Sequence, residues 1–248
     1  MWYLRKIDQL SSLLREKFIS FVGAGGKTAL AEYLARMAME KGKRVAITTT
    51  TKIWAKEPYV TLDCGAAQLV SKGGQFLRVG RSVEQGKLTG LGLDEVEALG
   101  GAYDLVLVEA DGSKGQPLKY PADYEPVIPP FSDRIVVVAG LEALGGTIAQ
   151  KVFRWELFAE ASGLTREAEV TIPVFLRLFE ADGLMKGVDR ARSIIVLNKY
   201  DACGQREKAI DLAKAVLLGT GSMEALVASV RLGIFYGLTP RGPMPGRL

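Results

Sequence analysis

Short, nearly continuous apolar runs recur along the chain, at Phe18-Ile19-Ser20-Phe21-Val22, Val45-Ala46-Ile47, Leu105-Val106-Leu107-Val108, Ile135-Val136-Val137-Val138 and Ile194-Ile195-Val196-Leu197. Runs of this length, rich in β-branched residues and leucine, mark strands covered on both faces, and so predict a mainly parallel sheet. Between them the apolar spacing changes to that of a helix. Leu30, Tyr33, Leu34, Met37 and Ala38 share one face of a helix that ends at Gly42, which makes residues 18–48 a strand–helix–strand unit with a right-handed crossover. Further helices are predicted around Lys151–Glu160, Pro173–Phe179 and Gln205–Leu218, and a last strand at Leu226-Val227-Ala228. Ile7, Leu10, Leu13 and Leu14 predict a short amphipathic helix over 7–17. The pattern is weakest in the glycine-rich residues 65–100, where Gln75–Val79 with Lys87–Leu91 is expected to form either a hairpin or a mobile excursion. Together these elements predict an α/β three-layer sandwich in one domain, 1–248. It would carry a glycine-rich excursion at 65–100, a helical insertion around 141–190 and a flexible tail at 238–248.

The first strand leads directly into Gly23-Ala24-Gly25-Gly26-Lys27-Thr28, and strand, glycine loop and Lys-Thr together read as a phosphate cradle of the P-loop type. Glycines let backbone N–H groups turn towards phosphate oxygens, Lys27 can neutralise the β and γ oxygens, and Thr28 can offer its hydroxyl to Mg²⁺. The loop is two residues shorter than G-x-x-x-x-G-K-[ST], which would require glycine at Phe21. Three further clusters fall at strand ends. Glu109-Ala110-Asp111-Gly112 places two carboxylates at the carboxyl edge of the sheet, where they can hold Mg²⁺ directly or through water and orient an attacking water. Asn198-Lys199-Tyr200-Asp201 follows another core strand and matches the N-K-x-D element that reads guanine in GTPases. Asp201 can accept from the N1–H and exocyclic amine that adenine lacks, Asn198 can serve a ring acceptor, and the stem of Lys199 can stack on the base. Thr48-Thr49-Thr50-Thr51-Lys52 offers hydroxyls and a lysine to an anion, although threonine is also simply a good strand residue. In the loop after the acid pair, prolines 117, 121 and 126 limit chain entropy, and Lys114 and Lys119 can meet an anionic substrate group.

Composition narrows the chemistry. The chain has no histidine, which excludes histidine-ligated metal, a histidine general base and Ser-His or Cys-His nucleophile pairs within one chain. Its two cysteines, Cys64 and Cys203, form no C-x-x-C pair and fit a reduced, cytoplasmic compartment. The N-terminus opens no apolar segment of the kind that directs secretion, and no apolar run approaches the ~20 residues that span a bilayer. With 32 basic and 28 acidic residues and no basic run interleaved with aromatics, neither nucleic acid nor membrane is expected as a partner.

With the glycine loop, the Thr48–Lys52 run, Glu109-Ala110-Asp111-Gly112 and the Pro-Leu-Lys to Glu-Pro-Val-Ile-Pro segment at 117–129 in hand, the sequence resembles the YqeC family over most of its length. That family is described as accessory proteins of selenium-dependent molybdenum hydroxylases. The resemblance implies a P-loop fold and a role in maturing or inserting a cofactor, with a molybdenum hydroxylase or its cofactor as partner. More distantly the chain looks like the GTPases that assemble metallocentres, and its short loop resembles that of the Mur ligases. The expected activity is Mg²⁺-dependent binding and hydrolysis of a nucleoside triphosphate, GTP favoured over ATP. Lys27, Glu109 and Asp111 would be catalytic, Thr28, Glu109 and Asp111 would hold the metal, and Gly23–Thr28 with Asn198, Lys199 and Asp201 would bind the nucleotide. The alternative is an ATP-dependent kinase or transferase with Thr49, Thr50, Thr51, Lys52, Lys114 and Lys119 around a small anionic substrate.

Overall fold

Every residue of Phe18–Gly23 and of Leu105–Glu109 is buried, as their uninterrupted apolar character requires. The computed structural model describes residues 2–7, 10–64, 76–222 and 224–240. Ten strands form one sheet: β1 (Trp2–Ile7), β2 (Phe18–Gly23), β3 (Val45–Thr49), β4 (Tyr59–Thr61), β5 (Leu77–Gly80), β6 (Leu105–Glu109), β7 (Arg134–Gly140), β8 (Ser193–Asn198), β9 (Glu224–Ser229) and β10 (Ile234–Pro240). Across the sheet they run β1-β10-β9-β8-β7-β2-β6-β3-β5-β4. Every neighbouring pair from β9 to β4 is parallel, while β10 is antiparallel to both β9 and β1.

Alternate residues of each central strand feed opposite faces. Ile19, Phe21, Val136, Val138, Ile194 and Val196 pack with Leu30, Ala31, Leu34, Ala35 and Ala38 of the helix Lys27–Glu40. On the other face Val22, Ile135, Val137, Ile195 and Leu197 meet Phe158, Phe175, Leu212 and Val216 from the helices Trp155–Ser162, Ile172–Leu178 and Ala209–Thr220. A third cluster sets Phe18, Ala46, Val106 and Val108 against Val96 and Leu99 of the helix Leu93–Ala102. Helices on both faces of a mainly parallel sheet confirm the predicted three-layer α/β class. The strand order reverses at β2, with β6 on one side and β7 on the other. That reversal opens the crevice at the carboxyl ends where such sheets bind ligands.

Three local expectations are corrected. The amphipathic helix expected over 7–17 is absent from the described residues of that range: Trp2–Ile7 is strand β1, and Leu13–Arg15 is a single 3-10 turn that still buries Leu13 and Leu14. Ladder bonds to β10, from the other end of the chain, override the local spacing. The expected pairing of 75–79 with 87–91 is replaced by two different ones, while Gln75 itself lies outside the described residues. Leu77–Gly80 joins the main sheet beside β3 and β4, and Lys87–Thr89 forms a hairpin with Val83–Glu84. The hairpin turn, Gln85-Gly86, has positive φ at both residues, the geometry that follows the twist of paired strands. Residues 238–240, expected in the flexible tail, end strand β10; the rest of that tail lies outside the described residues.

Candidate functional site

Between the end of β2 and the helix Lys27–Glu40 the chain must turn within a few residues, and glycine is obligatory there. Gly25 and Gly26 have φ of +81° and +125°, and a Cβ on either would lie 2.4 Å from Gly140 N or from Asn198 Nδ2. The N–H groups of Gly23, Ala24 and Gly25 are used within the protein, donating to Asp111 Oδ2 (2.9 Å), Val138 O (2.9 Å) and Gln116 O (3.1 Å). The first helical bond runs from Leu30 N to Gly26 O, which leaves the N–H groups of Gly26, Lys27, Thr28 and Ala29 without a partner among the described residues. Four convergent donors at a helix N-terminus make an anion site. Gly23, Ala24 and Gly25 therefore hold the loop in shape, and the donors begin at Gly26 and extend to Ala29, one residue past the motif.

The charged groups gather under this turn. Lys27, 4% exposed, places Nζ 2.5 Å from Gly23 O and 3.0 Å from Asp111 Oδ1. The Thr28 hydroxyl donates to Glu109 Oε1 at 2.7 Å. Glu109 closes β6 between Phe21 of β2 and Thr49 of β3, and burial pushes its carboxyl above the usual range against the pull of Lys27 and Thr28. Asp111 Oδ1 is buried and accepts no hydrogen bond of good geometry. A buried carboxylate oxygen paired with the Lys27 ammonium, together with a second carboxyl and a hydroxyl, makes a set of hard oxygen donors, and the set fits Mg²⁺.

Asn198 ends β8, 3% exposed, and its amide is a clamp: Nδ2 donates to Gly25 O (2.8 Å) while Oδ1 accepts from Val230 N (3.0 Å). Only this orientation pairs donor with acceptor at both ends. The second N–H of the amide donates to no partner among the described residues. Lys199 adopts a left-handed backbone, φ 62°, and its ammonium pairs with the Glu142 carboxylate. The Asp201 backbone N–H donates to Ser229 Oγ (3.0 Å), whereas its carboxylate makes no hydrogen bond or ion pair among the described residues. Ser229 ends β9 and Val230 follows it, and both were missed in sequence, because no motif spacing links them to Asn198.

Each of the six residues expected around a substrate has a partner within the protein. Thr49 and Thr50 donate their hydroxyls to Glu109 O (2.7 Å) and Val127 O (2.8 Å), Thr51 shares a contact with Thr49, and Lys52 pairs with Glu84 at the surface. Lys114 lies over the Phe153 ring at 5.5 Å. Lys119, expected to face substrate, is fully buried, with Nζ on Asp111 Oδ2 (2.9 Å), Glu125 Oε2 (2.7 Å) and Gly112 O (2.8 Å). Two of its N–H groups donate, to Gly112 and Glu125, and Asp111 adds an ion pair. Burial disfavours ionisation of Glu125, but hydrogen bonds from Arg154 and Lys119 outweigh it and hold the carboxyl below the usual range.

The family profile described as YqeC protein matches residues 19–156. A protein of Escherichia coli (strain K12) described as uncharacterized protein YqeC is 32% identical over 212 residues, 79% of this chain and 81% of that one. The chain belongs to the YqeC family. Within this YqeC member the matched stretch holds the glycine loop, Glu109, Asp111, Lys119 and Glu125, whereas Asn198–Asp201 lie beyond it. A solved structure described as a GTPase in apo form from Pyrococcus abyssi aligns with 15% identity and a TM-score of 0.36, covering 87% of this chain and 91% of that one. Likeness that low leaves the fold to be argued from the strand order and the loop. No helix among the described residues is long and apolar enough to cross a membrane.

Proposed function

We propose that this protein binds a nucleoside triphosphate with Mg²⁺, prefers GTP to ATP, and hydrolyses it to support maturation or insertion of a molybdenum/selenium cofactor in a hydroxylase. The observation that carries the phosphate half is the convergence of four N–H groups, unpaired among the described residues, with the Lys27 ammonium and the Asp111 carboxylate that it pairs with, at one strand-to-helix turn. On binding, Lys27 turns from Gly23 O and Asp111 towards the β and γ oxygens, and the helix N-terminus takes the rest of the phosphate charge. Thr28, Glu109 and Asp111 hold the metal or the attacking water. Bound Mg²⁺ supplies neutralisation of the phosphate oxygens there.

The free Asp201 carboxylate supports guanine. It meets N1–H and the exocyclic amine as an acceptor, but would oppose the lone pair of adenine N1. One charge-assisted hydrogen bond of about 1.5 kcal/mol already corresponds to roughly tenfold preference. The donors that a transferase would offer its acceptor, Thr49, Thr50 and Lys119, are used inside the protein, which favours hydrolysis over transfer. The accessory role rests on the family description. Calorimetric titration of GTP and ATP with Mg²⁺ tests the nucleotide assignment: Asp201→Asn should shift preference from GTP towards xanthosine triphosphate, and Lys27→Ala should abolish hydrolysis. Unchanged base preference in Asp201→Asn removes the base assignment, and hydrolysis that survives Lys27→Ala removes the phosphate assignment.

A further inference from the structure

A file of alternating charges runs outwards from the phosphate turn. Asp111 presents Oδ1 to Lys27 and Oδ2 to Lys119, and Lys119 in turn donates to Glu125 Oε2 at 2.7 Å. Arg154 contacts the same Oε2, and its other terminal nitrogen reaches Glu125 Oε1 (3.3 Å) and the Tyr124 hydroxyl (2.9 Å). Lys27, Asp111, Lys119 and Glu125 are buried, while Arg154 reaches the surface and stacks on Phe153 and Tyr124. Backbone pairing joins the middle of the file to the segment before its outer end, because Leu118–Lys119 and Val152–Phe153 form a small parallel sheet. Two cations thus share one oxygen at Glu125, and two share one carboxylate at Asp111. A buried charge that loses its partner is strongly disfavoured, so a change at one end is passed along the file rather than absorbed where it occurs.

We propose that Lys119 and Arg154 are positioning residues that couple occupancy of the phosphate site to the segment Val152–Arg154, an inference that rests on the nucleotide assignment above. When a nucleotide with its cation engages Asp111, Lys119 shifts onto Glu125 Oε2 and Arg154 loses its share of that oxygen. Reciprocity then fixes the signs for two variants. Arg154→Ala leaves Glu125 wholly to Lys119, frees Asp111 and tightens Mg²⁺-dependent nucleotide binding. Glu125→Gln leaves Lys119 with Asp111 as its only counter-charge and weakens it. Lost packing alone cannot move the two variants in opposite directions.

The test is amide hydrogen exchange on the full chain with and without GTP and Mg²⁺, together with calorimetric affinities of the variants. Exchange at residues 152–156 is expected to quicken on nucleotide binding. Affinity should rise about fivefold in Arg154→Ala and fall by a similar factor in Glu125→Gln, the low end of measured couplings. Lys151→Ala, which removes a neighbouring cation outside the file, should leave affinity unchanged; a shift equal to that of Arg154→Ala would assign the effect to the surface field and overturn the proposal. Binding with unaltered exchange at 152–156, or variants that shift together, also overturns it while leaving the nucleotide assignment standing. Absence of any triphosphate binding by the wild type overturns both. The exchange measurement on wild type decides the matter even if Glu125→Gln does not fold.

Discussion

Replacing Asn198 strikes two backbone groups at once, because its amide spans from Gly25 O at 2.8 Å to Val230 N at 3.0 Å inside a site that is 3% exposed. Asn198→Ala strands a carbonyl and an N–H, each worth about 1–3 kcal/mol when buried unpaired, so a loss of about 3 kcal/mol is expected after partial entry of water. For a chain of this size that lowers Tm by roughly 6–12 °C. Asn198→Asp is nearly isosteric yet should cost more near neutral pH. One carboxylate oxygen still accepts from Val230 N, but the other faces the Gly25 carbonyl, acceptor against acceptor. Protonation restores a donor, so the introduced carboxyl has a folded-state pKa above its unfolded value. The restored stability is present below the unfolded pKa and is lost as pH rises through the folded one. Urea unfolding near pH 7 and near pH 4, with nucleotide affinity measured in parallel, checks both variants. An Asn198→Ala cost under about 0.5 kcal/mol, or an Asn198→Asp variant as stable as wild type at neutral pH, would refute the clamp.

Two further outcomes follow from geometry at other positions. Gly25→Ala forces a left-handed backbone on a residue whose Cβ would sit 2.4 Å from Gly140 N and 2.9 Å from Pro117 O, so about 2–5 kcal/mol should be lost, with a lower Tm and weaker phosphate binding. An unchanged melting curve would show that the loop can open at no cost. Burial pushes the Tyr103 phenol up to about 12, so its contribution is fully present below the unfolded value of about 10 and is lost as pH rises towards 12. Tyr103→Phe should remove up to about 2 kcal/mol of that alkaline decline in urea midpoints; equal slopes for both proteins would contradict it.

The central strands were legible because burial on two faces leaves few polar positions, and β2, β6, β7 and β8 stand where their apolar runs predict. The helix after the glycine loop was equally plain from its single apolar face. Strands β1 and β10 were not, since each is stabilised by the other across most of the chain length and neither carries a buried-strand run. Leu93–Ala102 was hidden by Gly100 and Gly101, although Gly100 earns its place: a Cβ there would meet the Phe18 ring at 2.6 Å. Within the candidate site the motifs singled out residues but not their partners. Asn198 reads as a contact for a base, yet much of its hydrogen-bonding capacity holds the glycine loop. Lys114 and Lys119 look equivalent in the same loop, but one lies over an aromatic ring and the other is sealed among three acceptors.

By itself the sequence determined the parallel sheet, the glycine turn before the helix and the acid pair at the strand end, because each depends on neighbours in the chain and on local spacing. Only the tertiary structure decided which N–H groups stay free, which lysine is buried, and that Glu125 and Arg154 connect to Asp111. Those outcomes depend on which donor and acceptor meet when distant segments pack, and a side chain with several possible partners takes the ones that leave no buried charge or polar group unpaired.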